Sequence, residues 1–184
     1  MALLLDSVEI PEEALAEKIF LLLAPRPYLR RTADELITWF AAKGDVFILD
    51  GSNSFDAYGV IRAIARHAKP ELPLYLQRIH TARSFTCYQT LALCAQAKRI
   101  GYPVISLNIS LNFNDENVLY EERSFLFQEC LEALLELGQR VPLILLEAEA
   151  SLKKDSAWVA CFKGVAHCVL HLEQPLATQQ PALF

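Results

Sequence analysis

Short apolar runs alternate with amphipathic stretches along most of this chain. Ile19–Ala24 is continuously apolar and reads as a buried strand. Thr32 and Glu35 then form a capping box, and Ala33, Leu36, Ile37 and Phe40 make the apolar stripe of a helix that Gly44 stops. Val46–Leu49 is the next strand, ended by the turn Asp50-Gly51-Ser52-Asn53-Ser54. Ala57, Ile61, Ile64, Ala65 and Ala68 recur at helical spacing after it, with Arg62 and Arg66 on another face. Leu74–Ile79 follows Pro70 and Pro73 and reads as a third strand. Thr86 with Gln89 is a second capping box, opening a helix that runs to Arg99, near Gly101.

Tyr102–Asn108 continues as a strand, and Asn112–Asn117 as a polar loop. Leu119–Leu137 is the longest helix, with Phe127, Cys130, Leu131, Leu134 and Leu135 on one face and Gly138 at its end. Val141–Leu146 and Ala166–Leu172 are two further strands. Before all of these, Leu3-Leu4-Leu5 suits a short strand and Pro11–Glu17 a short helix; Pro175–Phe184 has little periodicity and reads as a tail. Strands alternating with helices predict an α/β domain over residues 1–174. Its twisted sheet should hold at least five mostly parallel strands joined by right-handed crossovers, with helices on both faces.

Composition agrees with that picture. The 53% hydrophobic share suits a sheet covered on both faces. No apolar run approaches the roughly 18–20 residues that span a bilayer, and Met1–Leu5 lacks a basic n-region. Five cysteines, an odd number, fit reduced thiols in a cytoplasmic protein. A formal charge of −5 gives no general attraction for nucleic acid.

Leu49-Asp50-Gly51-Ser52-Asn53-Ser54-Phe55, a helix, and then Ala82-Arg83-Ser84-Phe85-Thr86 resemble the central region of the RecA/Rad51 recombinase core. That family has a strand ending in an Asp-Thr-Glu-Gly-Thr-Phe-like turn, a helix, and a next strand running into an Ala-Arg-Ala-Phe/Tyr-like segment. The resemblance covers roughly residues 18–172 and is topological outside those segments. It implies a three-layer RecA-like fold, and it implies where ATPase chemistry would sit. A phosphate loop belongs between the first strand and its helix, with glycines, a lysine and a hydroxyl. Here the interval is Ala24-Pro25-Arg26-Pro27-Tyr28-Leu29-Arg30-Arg31-Thr32, without glycine or lysine. By the resemblance, Ser52 stands at the catalytic glutamate and Asn108 at the Walker B aspartate. Asp50 remains, and its simpler role is to cap the turn. No cofactor and no ATPase activity are therefore expected.

Other clusters carry weaker chemistry. Arg26, Arg30 and Arg31 beside a helix start suit an anion site, against a solvated basic turn. Cys161, His167, Cys168 and His171 miss metal-ligand spacing, since adjacent strand residues face opposite ways. Cys87 in a first helical turn, with His80 and Arg83 nearby in sequence, suggests a nucleophile without an orienting third group. The segments matching the recombinases' DNA-binding loops, Asn112–Arg123 and Glu147–Trp158, are mostly acidic. Arg62, Arg66, Lys69, Arg78 and Arg83 form the basic stretch. The expected function is a non-catalytic RecA/Rad51-like accessory or scaffold protein in recombination or repair. It would act through protein partners or self-association, with Leu3-Leu4-Leu5 and Ala182-Leu183-Phe184 as candidate contact segments. The alternative is a nucleotide- or nucleic-acid-binding protein using Arg26, Arg30 and Arg31.

Overall fold

The computed structural model describes residues 2–5, 8–15, 18–51, 53–148 and 157–172, without the side chains of residues 2–5, 8, 9, 11 and 14. An antiparallel hairpin of β1 (Ala2–Leu5) and β2 (Val8–Pro11) comes first, then one helical turn, α1 (Glu12–Leu15). β3 (Ile19–Ala24) is buried at every position. It leads into α2 (Arg26–Lys43), β4 (Val46–Asp50), α3 (Ala57–Ala68), a 3-10 turn Lys69–Glu71 and α4 (Leu72–Gln77). β5 (Ile79–Arg83), α5 (Cys87–Ala97), β6 (Val104–Leu107) and a 3-10 segment Ile109–Asn114 follow. The described part closes with α6 (Tyr120–Gly138), β7 (Leu143–Ala148), α7 (Ala157–Val165) and β8 (Cys168–His171).

β3 to β8 form one parallel sheet in the order β5-β4-β6-β7-β3-β8. Alternation along β3 builds two cores. Phe20, Leu22 and Ala24 meet Leu36, Ile37 and Phe40 of α2 and Val60 and Ile64 of α3. Ile19, Leu21 and Leu23 face Cys94 of α5, Phe127 and Leu134 of α6, and Phe162 of α7. The result is a three-layer α/β sandwich with α2, α3 and α4 on one face and α5, α6 and α7 on the other, consistent with a RecA-like fold. No described helix is long and apolar enough to cross a membrane.

The element boundaries differ from the sequence expectations in informative ways. Leu74–Ile79 is not a strand. Residues 72–77 are the helix α4, with Pro73 in its first turn, and the strand runs from Ile79 to Arg83. Proline is tolerated in a first helical turn, where its missing N–H costs no bond. α2 starts at Arg26, so Thr32 is a buried mid-helix residue and not a cap. The buried stripe of α3 is Gly59, Val60, Ala63 and Ile64; Ala57 is exposed. At Gly59 a Cβ would sit 2.1 Å from an Asp34 carboxyl oxygen, so that carboxyl occupies the space a larger residue would take. The second capping box does form: Thr86 Oγ1 accepts from the Gln89 N–H at 3.2 Å, and Gln89 Oε1 accepts from the Phe85 N–H at 2.8 Å.

Leu3-Leu4-Leu5 pairs with Val8–Ile10 of its own hairpin, and that hairpin lies against α2. Ser52, residues 149–156, the 175–184 tail and Ala182-Leu183-Phe184 lie outside the described residues.

Candidate functional site

In a parallel sheet, side chains that do chemistry gather beyond the carboxyl ends of the strands, where neighbouring connections diverge to opposite faces. That edge here is built from Ala24–Arg26 at the end of β3, Asp50, Gly51 and Asn53–Phe55 at the end of β4, Arg83-Ser84 at the end of β5, Asn108–Ser110 after β6 and Glu147-Ala148 at the end of β7.

Asp50 is buried and fully occupied. It accepts the Arg83 Nε–H at 2.9 Å and the backbone N–H groups of Ser54 at 3.0 Å and Phe55 at 3.2 Å. It thus caps its turn and ties β4 to β5. Gly51 beside it donates to the Leu107 carbonyl at 2.9 Å, and a Cβ at Gly51 would lie 2.5 Å from Ile109 Cα. Asn108 sits in the left-handed region, at φ 49°, which asparagine tolerates better than most residues. Its Oδ1 accepts the Ala148 N–H at 2.6 Å and so ties β6 to β7.

The sequence reading overlooked Glu147 as a buried acid. It ends an apolar strand run and is 1% exposed. The Ser110 hydroxyl donates to it at 2.5 Å and the Ser110 N–H at 3.3 Å. Burial pushes its carboxyl up to about 7, against the lowering effect of the Ser110 and Ile109 donors. The sequence signal was a carboxylate directly continuing the apolar run of β7, opposite a polar turn.

The junction after β3 is where a phosphate loop would lie. Only Pro25 separates β3 from α2, so there is no loop to wrap a phosphate. The N–H groups of Tyr28 and Leu29 both bond the Pro25 carbonyl, at 2.9 and 3.0 Å, and Pro27 has none to give. Of the first α2 donors only the Arg26 N–H is left to meet an anion. With Asp50 held by Arg83, these residues do not fit a magnesium nucleotide.

The predicted arginine trio is split. Arg26 and Arg30 line a cleft of ≈ 390 Å³ with Asn53, Ser54 and Asn108. Arg31 faces a second, polar cleft of ≈ 300 Å³ between α2 and α3, shared with Arg30, Arg62 and Arg66. Arg30 pairs with Asp56 at 3.0 Å and Arg66 with Glu35. Asp34 also lines the second cleft; burial and then the Asp56 charge push its carboxyl up to about 7. The longer basic stretch does not stay together either: Arg78 donates to the Ala41 and Ala42 carbonyls at the end of α2, and Arg83 holds Asp50.

The cysteine reading does not survive the geometry. Cys87 is buried, and burial pushes its thiol up. His80 is on Asp45 at 2.9 Å, near the start of β5, whereas Cys87 follows the end of that strand. Among the described residues no three His, Cys, Asp or Glu side chains are grouped to hold a metal ion. Trp158 is buried among Phe113, Phe127 and Tyr120, and Trp39 packs on Phe40 with Lys43 over its ring.

Among the described residues, exposed apolar side chains gather where α5 and α6 begin. Phe85 and Tyr88 at the start of α5, and Leu119 and Phe125 at the start of α6, are all exposed. The Tyr88 hydroxyl donates to Glu122 at 2.6 Å and joins the two helices; that bond holds the phenol proton up to about 12. No protein-family model matches this chain, and no curated protein matches it either.

Proposed function

We propose that this chain is a non-catalytic RecA/Rad51-like accessory or scaffold domain that works by binding protein, with recombination or repair as its setting. The exposed aromatic surface of α5 and α6 carries this reading: Phe85, Tyr88, Leu119 and Phe125 cost solubility unless something covers them. The filled carboxyl edge supports it, because Asp50, Asn108 and Glu147 bond to the fold itself. The test is a pull-down from the native host with wild type and a Phe85→Ser/Phe125→Ser variant. Partner capture by wild type and its loss in the variant, at unchanged circular dichroism, is expected. A wild-type chain that neither self-associates nor retains any protein would sink the reading.

The ≈ 390 Å³ cleft favours a second reading, an anion site using Arg26 and Arg30, with Arg31 on the adjoining cleft. Calorimetric titration with inorganic phosphate, for wild type and Arg26→Ala, decides it. Saturable heat lost in the variant supports the site; no heat in wild type removes it.

A further inference from the structure

We infer that the amino edge of the sheet carries a second protein-binding site, an aromatic cavity that takes a proline-rich, basic segment of a partner. This goes beyond the protein-binding reading above, because the cavity shares no residue with the exposed surface of α5 and α6.

The cavity measures ≈ 320 Å³ and lies where β4, β6 and β7 begin, at the far end of the strands from Asp50 and Glu147. Trp39 and Phe40 of α2, Tyr102 and Pro103 before β6, and Pro142 before β7 wall it. Trp39, Tyr102 and both prolines are half-buried, so part of each ring stays open to water. The Tyr102 ring rests on that of His80, with 5.3 Å between centroids. Gly44 and Gly101 also line the cavity, and a Cβ at either would meet nothing within 4 Å. An extended chain can therefore cross the mouth close to the backbone at both positions.

Three features select the occupant. β4, β6 and β7 are interior strands in the order β5-β4-β6-β7-β3-β8, so an added β-strand would find no open ladder here. A polyproline helix needs none: it has no internal hydrogen bonds and lays its rings into aromatic grooves. The Trp39 Nε1–H is shielded from water and has no acceptor among the described residues. Such a donor is destabilising until something accepts from it, and a peptide carbonyl beside the indole would do so. Lys43, whose ammonium lies over that ring at 3.6 Å, is exposed and can give way. Charge is the third feature. Lys43 pairs with Glu12, while Asp45 is exposed and bonded to the His80 ring at 2.9 Å. With histidine neutral the mouth is net negative, which suits an arginine or lysine next to the prolines.

The experiment follows by NMR the indole N–H signals of the isotope-labelled chain, one from each of its two tryptophans. The probe is a short polyproline peptide ending in arginine. The controls are a polyproline peptide ending in glutamate, a glycine-serine peptide ending in arginine, and free indole. Trp39→Phe identifies the Trp39 signal. The arginine-ended polyproline peptide should shift that signal saturably and leave the Trp158 signal in place. Tyr102→Ala should weaken binding at least about tenfold. Gly101→Phe puts a ring into open space at the mouth, leaves the core untouched and should block the peptide. The glutamate-ended peptide should bind about two- to fivefold more weakly, and Asp45→Asn should abolish that preference. Phe85→Ser/Phe125→Ser should bind the peptide as wild type does. No saturable shift, an equal response to the glycine-serine peptide, or unchanged affinity in Gly101→Phe overturns the inference. Loss of binding in Phe85→Ser/Phe125→Ser overturns it too, by moving the peptide to α5 and α6. A Trp39 signal shifted by indole and not by the peptide gives the cavity to a small aromatic molecule instead. Peptide binding by a chain that captures no host protein through α5 and α6 would leave this inference standing and sink only the earlier one. Capture without peptide binding would do the reverse.

Discussion

Glu147 and Gly51 show how much single residues decide at the carboxyl edge. Glu147 has a folded-state pKa of about 7, above its ordinary 4.5. The folded state then binds more protons than the unfolded chain between those values, so stability is fullest below about 4.5 and falls as pH rises to about 7. Asp34, raised to about 7, acts with the same sign and less weight because it is only partly buried. Glu147→Gln keeps an acceptor for the Ser110 N–H and removes the titration. We expect its unfolding free energy, from urea titration, to fall less than that of wild type between pH 5 and pH 8, by a difference on the order of 2 kcal/mol. Equal slopes for the two proteins would show that Glu147 is ionised throughout. At Gly51 a methyl group meets backbone, with Ile109 Cα at 2.5 Å and the Asn108 carbonyl at 3.0 Å, so no side-chain rotation relieves it. Gly51→Ala should cost about 1–3 kcal/mol in denaturant unfolding; a wild-type midpoint would mean that β4 and β6 separate more freely than their pairing implies.

At the scale of elements, periodicity was readable where one face decides burial and misleading where proline or tertiary contact decides it. Ile19–Ala24 is continuously apolar because both its faces are covered, and the structure buries it throughout. Leu72–Gln77 has the apolar composition of a strand, yet Leu72 and Tyr75, three apart, both reach the core as only a helix allows. Pro25-Arg26-Pro27 reads as a loop although it is the start of α2. The α3 stripe was misplaced because Gly59, small enough for the Asp34 carboxyl, lies on the buried side. Helix packing also sets thiol reactivity. Cys94 of α5 and Cys130 of α6 lie 3.1 Å apart between their Sγ atoms, and that pairing with burial pushes the Cys130 thiol well up. Cys87 is buried too, while Cys161 is exposed and Cys168 half-buried. With a chromogenic disulfide reagent we expect Cys161 to react fast, Cys168 more slowly, and the other three only on unfolding. Fast native labelling of Cys94 or Cys130 would show that α5 and α6 part readily.

For the whole molecule, the layered α/β plan was legible because strands and helices alternate, and the sheet order was not, because pairing between distant strands leaves no local mark. The candidate site was legible mainly as a loss. Missing glycines and lysine could be read from Ala24–Thr32, but the closeness of β3 to α2 could not. The exposed Phe85, Tyr88 and Phe125 were invisible, since an apolar residue in a pattern does not say whether another element covers it. The filled edge leads to the remaining prediction, on ATP. Hydrolysis needs donors around the phosphates, a carboxylate for the metal and a group to orient water. The junction of β3 and α2 offers a single backbone N–H at Arg26, Asp50 holds Arg83 and two turn amides, and Asn108 is neutral and tied to Ala148. Phosphate release from magnesium ATP should match a no-protein blank at every concentration. Arg83→Ala is the informative comparison, because it frees Asp50 from its guanidinium while both turn amides still hold it. Turnover in wild type that tracks the protein through successive columns and changes in Arg83→Ala would show that Asp50 does chemistry as well as capping its turn.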